Sequence, residues 1–225
     1  MSLFPTHNAN MVACSILVDC SGSMQSEVAP DFSRLEALSL GLEVLESEMK
    51  ADAMVCNSVE VSTIAIGGKQ PHKATLIQDW GYAREFTRPE LIARGSTPLG
   101  DALLLALKKI KEKKQAYRDE GRSYLRPWII IISDGMPTDD DSDWNKAVAA
   151  AKNAIKNKEA LILAVGIDNC PLEKLSEIST YPAQPLSAHR FSEFFVWLSA
   201  SMSATSQSVG TSTEQLVSTD PWRTL

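Results

Sequence analysis

The stretch VACSILVDCSGS, residues 12–23, joins an almost continuous apolar run to a polar segment that follows it at once. The run over 12–18 has the length of a strand and lacks polar alternation, which is typical of a strand buried on both faces. Asp19, Ser21 and Ser23 then place oxygen-bearing side chains at every second position, and the glycine between the serines permits a sharp turn. The stretch predicts a central strand that ends in a group of oxygen ligands.

Downstream of this stretch, apolar patterns alternate between those of strands and those of helices. Strand patterns cover 59–66, 74–80, 128–132 and 160–167, and helical patterns cover about 31–50, a segment from Pro98, one around Trp144, a short one from Pro171 and one from Phe191 to Met202. This alternation predicts an α/β fold with a doubly wound, mostly parallel sheet and helices on both faces. Because only a short link separates the strands at 59–66 and 74–80, we predict a hairpin that adds one antiparallel edge strand.

Length and composition bound the number of domains and the compartment. A chain of 225 residues with 44% hydrophobic residues has enough apolar material for one large domain. We predict a domain over residues 10–202 and a Ser/Thr-rich tail over 203–225, with Pro221-Trp222 as a candidate docking point. No apolar stretch reaches the ~18 residues that span a membrane, and residues 1–5 lack the basic start of a signal peptide. We therefore expect a cytoplasmic protein without a membrane partner.

Charge and cysteine content argue against two further classes of protein. The net charge of -6 and the pI of about 5.2 argue against a nucleic-acid partner, because nucleic acids bind to basic protein surfaces. The one basic run, Lys108 to Lys114, falls on a predicted helix, and we interpret it as a solvated helix face. The cysteines show no paired spacing, so we expect all of them to be reduced. They are Cys14, Cys20, Cys56 and Cys170.

Polar side chains from three separate segments are expected to meet at one edge of the sheet. Asp19, Ser21 and Ser23 follow the first strand, and Asp134 follows the most apolar of the later strands. Thr97 lies just before a helix. Ligands of open parallel sheets bind at the carboxyl ends of the strands, near the point where strand order reverses. Three hydroxyls and two carboxylates are hard oxygen ligands, which suit Mg²⁺, with Mn²⁺ and Ca²⁺ as alternatives, better than zinc.

Three motifs resemble a known family. They are, in chain order, Asp19-Cys20-Ser21-Gly22-Ser23, Thr97-Pro98-Leu99-Gly100-Asp101-Ala102-Leu103 and Ser133-Asp134-Gly135. Together they resemble the metal-ion-dependent adhesion site of von Willebrand factor A domains. The resemblance covers about residues 10–200 and implies a Rossmann-like fold. It also implies that Ser21, Ser23 and Thr97 contact the metal directly. Asp19 and Asp134 would then act through water or through hydrogen bonds to the serines.

The resemblance implies a function in binding rather than in catalysis. Neutral hydroxyl ligands leave a cation electrophilic, so an Asp or Glu of a protein partner becomes a strong further ligand. The loops over 24–31, 81–97 and 136–143 would supply specificity. The segment 133–138 and the serine-rich C-terminus are similar to bacterial TerY-like proteins associated with tellurium resistance. That similarity implies a role in stress resistance and partners among kinase- or phosphatase-like products of the same operon.

A Mg²⁺-dependent phosphatase or phosphotransferase is the alternative function. An enzyme that forms an aspartyl-phosphate needs an Asp-x-Asp pair after the first strand, and Ser21 occupies the second of these positions. Residues 67–70 resemble the end of a P-loop but lack its final Ser or Thr. No serine lies in a Gly-x-Ser-x-Gly motif. Cys20 has no base or cation near it in the sequence to activate its thiol. We therefore predict a protein that is not an enzyme and has no catalytic residues.

Each candidate ligand also has a structural interpretation. Thr97 fits a helix N-cap, with Pro98 as the first helical residue. Asp134-Gly135 is a common turn pair, and serines are frequent in turns. The acidic run over 139–143 is either a second cation site or, as we favour, a solvated loop that caps the next helix. The joint occurrence of all three motifs in order favours the metal site over these separate interpretations.

Overall fold

The structure, a computed structural model, describes residues 10–207 and Leu216. Residues 1–5 and most of the predicted tail over 203–225, Pro221-Trp222 included, lie outside the described residues. In the part of the chain that is described, no helix is both long and apolar enough to cross a membrane. All four cysteines are free thiols.

Strands and helices alternate along the chain as the apolar patterns predict. The strands are β1 (Val12–Cys20), β2 (Glu27–Ala29), β3 (Phe32–Ser33), β4 (Val59–Gly67), β5 (Ala74–Tyr82), β6 (Trp128–Ser133), β7 (Leu161–Ile167) and β8 (Gln184–Leu186). The helices are α1 (Arg34–Ala51), α2 (Ala53–Ser58), α3 (Leu99–Asp119), α4 (Asp141–Lys156), α5 (Leu172–Glu177) and α6 (Phe191–Ser206). Single 3-10 turns occupy Gly22–Gln25, Ala83–Glu85 and Ala188–Arg190.

Six of these strands form one sheet in the order β5-β4-β1-β6-β7-β8. Neighbouring strands are parallel throughout, except that β4 and β5 are antiparallel. The doubly wound, mostly parallel α/β fold and its antiparallel edge strand are therefore confirmed. β1 pairs with β4 on one side and with β6 on the other, so strand order reverses beside β1. This arrangement places a ligand crevice at the carboxyl end of β1.

Two apolar layers cover the sheet. One core cluster packs Ile16 and Val18 of β1 under α1, α2 and α6, and the other packs Leu17 under α3, α4 and α5. All nine residues of β1 are buried. Because helices cover both faces of the sheet, β1 carries apolar side chains on both of its faces.

The structure corrects several boundaries. α1 begins at Arg34 rather than near residue 31, because Ser33 and Glu36 form a capping box. The residues before α1 pair instead as the small hairpin of β2 and β3. Pro98 occupies the cap position of α3 and is not its first helical residue. The sequence predicts neither α2 nor β8. α2 is as short as α5 but has no proline at its start to mark it, and the three residues of β8 are too few to display a period.

α1 and α6 approach each other closely because Gly41 leaves room between them. A Cβ on Gly41 would lie 2.7 Å from Cβ of Phe191 and 2.7 Å from Cδ2 of Phe195. Farther along this contact, the Ser203 hydroxyl donates to the Asp52 carboxylate at 2.6 Å. The contact fixes α6 over the face of the sheet that α1 covers.

We expect Gly41→Ala to lower the free energy of unfolding by about 1–3 kcal/mol, because the added methyl overpacks the contact of α1 with α6. This sign is the reverse of the usual one, since Gly to Ala within a helix normally gains up to about 1 kcal/mol. Urea unfolding followed by circular dichroism measures the difference. Ser47→Ala, on the exposed side of the same helix, is the control and should stay within about 0.5 kcal/mol. Equal stability of Gly41→Ala and wild type would contradict the close approach.

Candidate functional site

Asp19 lies inside the protein near the end of β1. Its Oδ1 accepts the Ser21 N–H at 2.8 Å, and its Oδ2 accepts the Ser133 hydroxyl at 2.5 Å. Burial raises the pKa of Asp19 to about 6, while these hydrogen bonds act in the opposite direction. Asp19 therefore orients the loop after β1, and a nearby cation would favour its ionised form.

The two serines and Asp134 form a chain of hydrogen bonds. The hydroxyl oxygens of Ser21 and Ser23 lie 2.9 Å apart, and the Ser23 hydroxyl donates to Oδ1 of Asp134 at 2.8 Å. Ser21 is buried, whereas Ser23 is exposed. Because β1 and β6 are parallel neighbours, their carboxyl ends bring Asp19 and Asp134 to the same rim. Direct hydrogen bonds thus link four of the five predicted site residues.

Thr97 reaches the same rim from the loop before α3. Its Oγ1 lies 3.6 Å from the position that a Cβ on Gly135 would occupy. The Thr97 N–H donates to the Thr138 hydroxyl at 3.0 Å, and the Thr97 carbonyl accepts the Thr138 N–H at 3.0 Å. The N-cap interpretation of Thr97 is wrong, because Pro98 occupies the cap position. Thr97 is instead held against the loop that follows Asp134.

A glycine fixes the loop that carries Thr97. Gly95 has a φ of +83°, and a Cβ there would lie 2.2 Å from the carbonyl oxygen of Pro71. Only glycine adopts this φ readily and has no side chain that would collide with Pro71. The Gly95 carbonyl accepts the Gly22 N–H at 3.0 Å, which ties the loop to the turn between the two site serines.

The acidic run after Asp134 caps two helices rather than one. Asp140 caps α4 as predicted, since its carboxylate accepts the Asp143 N–H at 2.8 Å. Asp139 accepts the Gly100 N–H at 2.9 Å and the Asp101 N–H at 3.1 Å. It thereby supplies the side-chain cap of α3 that Pro98 lacks. Asp139 joins the loop after β6 to the helix that begins beside Thr97.

A cation that sequence reasoning missed lies beside Asp134. Arg34 donates to Oδ2 of Asp134 at 2.9 Å and to Oδ2 of Asp168 at 2.8 Å. The Asp134 side chain is 0% exposed and that of Arg34 is 22% exposed. Arg34 therefore engages one carboxylate oxygen of Asp134 and leaves the other to Ser23. No sequence pattern marks this residue, because it lies 100 positions from Asp134.

The donor atoms on this rim fit a hard divalent cation. Hydroxyl and carboxylate oxygens are the ligands that Mg²⁺ and Ca²⁺ prefer. Within the described residues, no Lys or Arg forms an ion pair with Asp19, so its buried carboxylate lacks a compensating charge. Burial, assisted by the charge of Asp19, raises the pKa of Cys20 to about 12. The Cys20 thiol is therefore protonated at neutral pH and is a poor nucleophile.

The sequence matches the von Willebrand factor type A domain family over residues 15–196. The chain belongs to this family. Many von Willebrand factor A (vWA) domains mediate metal-dependent protein interactions. A search of curated proteins found no significant match to the chain.

Several solved structures share this fold. The pilus adhesin SpaC from Lactobacillus rhamnosus GG is 16% identical with a TM-score of 0.67, and the match covers 87% of this chain and 30% of SpaC. The type V pili tip protein Mfa5 from Porphyromonas gingivalis is 12% identical with a TM-score of 0.62, covering 90% of this chain and 98% of the Mfa5 domain. A von Willebrand factor type A protein from Catenulispora acidiphila is 18% identical with a TM-score of 0.59, covering 86% of this chain and 43% of that one. The chain thus spans less than half of two of these relatives.

Replacing Arg34 with Gln should lower the free energy of unfolding in EDTA by about 1–3 kcal/mol, because it leaves the buried Asp134 carboxylate without a compensating charge. Urea unfolding measures the loss. Lys146→Gln is the control, since it breaks an exposed ion pair with Asp143 and should cost about 0.5 kcal/mol or less. If both variants unfold alike, the Arg34 bridge contributes nothing.

Asp139→Ala should cost about 0.5–2 kcal/mol, because it removes the side-chain cap of α3. Hydrogen exchange of the Gly100 and Asp101 amides should accelerate, since both lose their acceptor. Asp141→Ala is the control. It also removes one negative charge from the acidic run, and it should leave the hydrogen exchange of these two amides unchanged. Unchanged exchange in Asp139→Ala would show that another group caps α3.

Proposed function

We propose that Asp19, Ser21, Ser23, Thr97 and Asp134 form a metal-ion-dependent adhesion site that binds Mg²⁺ and, through it, an Asp or Glu side chain of a protein partner. The observation that carries this proposal is the hydrogen-bonded chain from Ser21 through Ser23 to Asp134 at the carboxyl end of β1. Its middle member, Ser23, is exposed and gives access from solvent. Mn²⁺ and Ca²⁺ are alternative ions with the same preference for oxygen.

The carboxylates support a division of roles within the site. Asp19 already accepts two hydrogen bonds, and Asp134 already engages Ser23 and Arg34. Both are therefore placed to orient the hydroxyls of Ser21 and Ser23, which would hold the cation together with Thr97. When bound, the ion supplies a Lewis-acidic coordination position for a carboxylate. Neutral direct ligands leave most of its charge for that carboxylate to neutralise.

The surface around the site suits a protein partner. Ile92 lies in the loop before Thr97, and Met136 lies two residues beyond Asp134. They are 40% and 47% exposed, respectively. Exposed apolar side chains beside a polar centre are typical of protein interfaces, in which Met is enriched. The loops over 24–31, 81–97 and 136–143 would contact the partner around the metal-bound carboxylate and so supply specificity.

The proposal extends to the biological setting. From the similarity of residues 133–138 to TerY-like proteins, we place this module in bacterial tellurium and stress resistance, in the cytoplasm. Its partners would be kinase- or phosphatase-like products of the same operon. The chain itself would not be an enzyme, because Ser21 stands where an enzyme that forms an aspartyl-phosphate needs its second aspartate.

Isothermal titration with MgCl₂ tests the metal site. Wild type should bind with measurable heat, and Ser21→Ala combined with Thr97→Ala should weaken binding by about tenfold or more. Ser96→Ala is the matched control, because the Ser96 hydroxyl contacts the Pro71 carbonyl and the His72 ring. Equal heats in wild type and in the Ser21/Thr97 double variant would overturn the proposal.

Two further assays separate a binding module from an enzyme. Capture of protein partners by the immobilised chain should be lost in EDTA and in Ser21→Ala, because both remove the bound ion. Phosphatase and ATPase activity with Mg²⁺ should be absent. Turnover that Asp19→Ala abolishes would establish the alternative function.

A further inference from the structure

A groove of about 610 Å³ runs between α3 and α4, away from the candidate metal site. Its apolar lining comes from Leu107 and Ile110 of α3, Ala154 of α4 and Ala160. Ile110, Ala154 and Ala160 are almost fully buried. A groove with an apolar floor between two helices has the form of a helix-binding site.

The basic run on α3 divides between two faces of the helix. Lys109 and Lys113 form ion pairs with Asp79 and Glu60 of the sheet, at 3.0 Å and 2.6 Å. Their charges are therefore neutralised by carboxylates of the same chain. The remaining lysines of the run face the groove, so the interpretation of the whole run as a solvated face holds for only part of it.

The groove side of α3 carries four cations in one stripe. They are Lys108, Lys111, Lys114 and Arg118, at spacings of three, three and four residues. Among the described residues that line the groove, Glu159 is the only carboxylate, and it lies beside Lys114, whose ammonium donates to the Glu159 backbone carbonyl at 3.4 Å. Lys108 contacts Glu112 only at 4.0 Å. Within the described chain, no carboxylate forms an ion pair with Lys111. The groove therefore has a large excess of positive charge on a chain of net charge -6.

We infer that this groove binds an acidic amphipathic helix of a partner protein. The apolar side of that helix would cover the partly exposed Leu107, and its carboxylates would pair with the stripe of cations. The stripe extends over ten helical steps, or ~15 Å along the helix axis. A partner helix with Glu or Asp repeated at three- and four-residue spacing matches it, because such residues also fall on one face.

An acidic helix fits the groove better than a nucleic acid does. A phosphate backbone is bound mainly by positive charge and gains nothing from the partly exposed apolar side chain of Leu107. The cations stand along one wall only, beside apolar surface. A groove with a charged edge and an apolar centre is the kind of surface that binds an amphipathic helix.

The groove is a second binding surface, separate from the metal site. Lys111 lies twelve residues along α3 from Leu99, which places it ~18 Å from the end of the helix beside Thr97. Binding of a partner helix to the groove should therefore not require a metal ion.

A synthetic peptide tests the inference. Its sequence is designed to form a helix with Glu at spacings of three, three and four residues and Leu on the adjacent stripe. It carries a fluorescent label and is titrated with the full chain at low salt, with anisotropy as the readout. Wild type should bind it more tightly than a scrambled peptide of the same composition. Lys108→Glu combined with Lys111→Glu should weaken binding by about tenfold, because two attractions become repulsions.

Two controls make the result specific. Lys69→Glu combined with Lys152→Glu produces the same change in net charge at exposed sites outside the groove, and its affinity should stay within about twofold of wild type. EDTA and Ser21→Ala should leave peptide binding unchanged, so a failed metal site does not affect this test. Equal binding of the scrambled peptide, or equal losses in both double variants, would overturn the inference. Tighter binding of a short DNA duplex than of the peptide would overturn it in favour of a nucleic acid.

Discussion

The parallel pairing of β1 with β4 and β6 is the constraint on which the rest of the structure depends. A strand with neighbours on both sides and helices over both faces has no exposed surface except at its ends. Polar groups carried by β1 can therefore reach solvent only beyond Cys20. The two flanking strands end at the same edge, and their loops converge there. Asp134 reaches the Ser23 hydroxyl for this reason.

Negative charge accumulates at that edge. Asp19, Asp134 and Asp168 lie close together, and Arg34 is the cation that contacts two of them. Burial of carboxylates is unfavourable unless a cation or several hydrogen bonds compensate them. The arrangement stabilises the fold less than an apolar one would, which is consistent with the proposed cation site. Polar groups that cost stability are expected at functional sites.

α3 connects the two proposed binding surfaces. Its first residues are capped by Asp139 from the loop that follows Asp134, and its second half carries the cationic stripe. With 21 residues, α3 thus extends from the rim of the proposed metal site to the groove between α3 and α4. A partner with an exposed carboxylate and an acidic helix would engage both surfaces together, and linked contacts of this kind raise overall affinity without any new interaction.

Local pattern was enough to predict the alternation of strands and helices, the antiparallel edge strand and the five residues proposed to form the site. Each of these leaves a period or a motif within a short window of sequence, and strand order then brings the motifs to one edge. Only the tertiary structure revealed the bridge of Arg34, the cap that Asp139 gives to α3, and the division of Lys108–Lys114 between the sheet and the groove. These contacts join positions that lie far apart in the chain, and no local period records which distant side chain meets which.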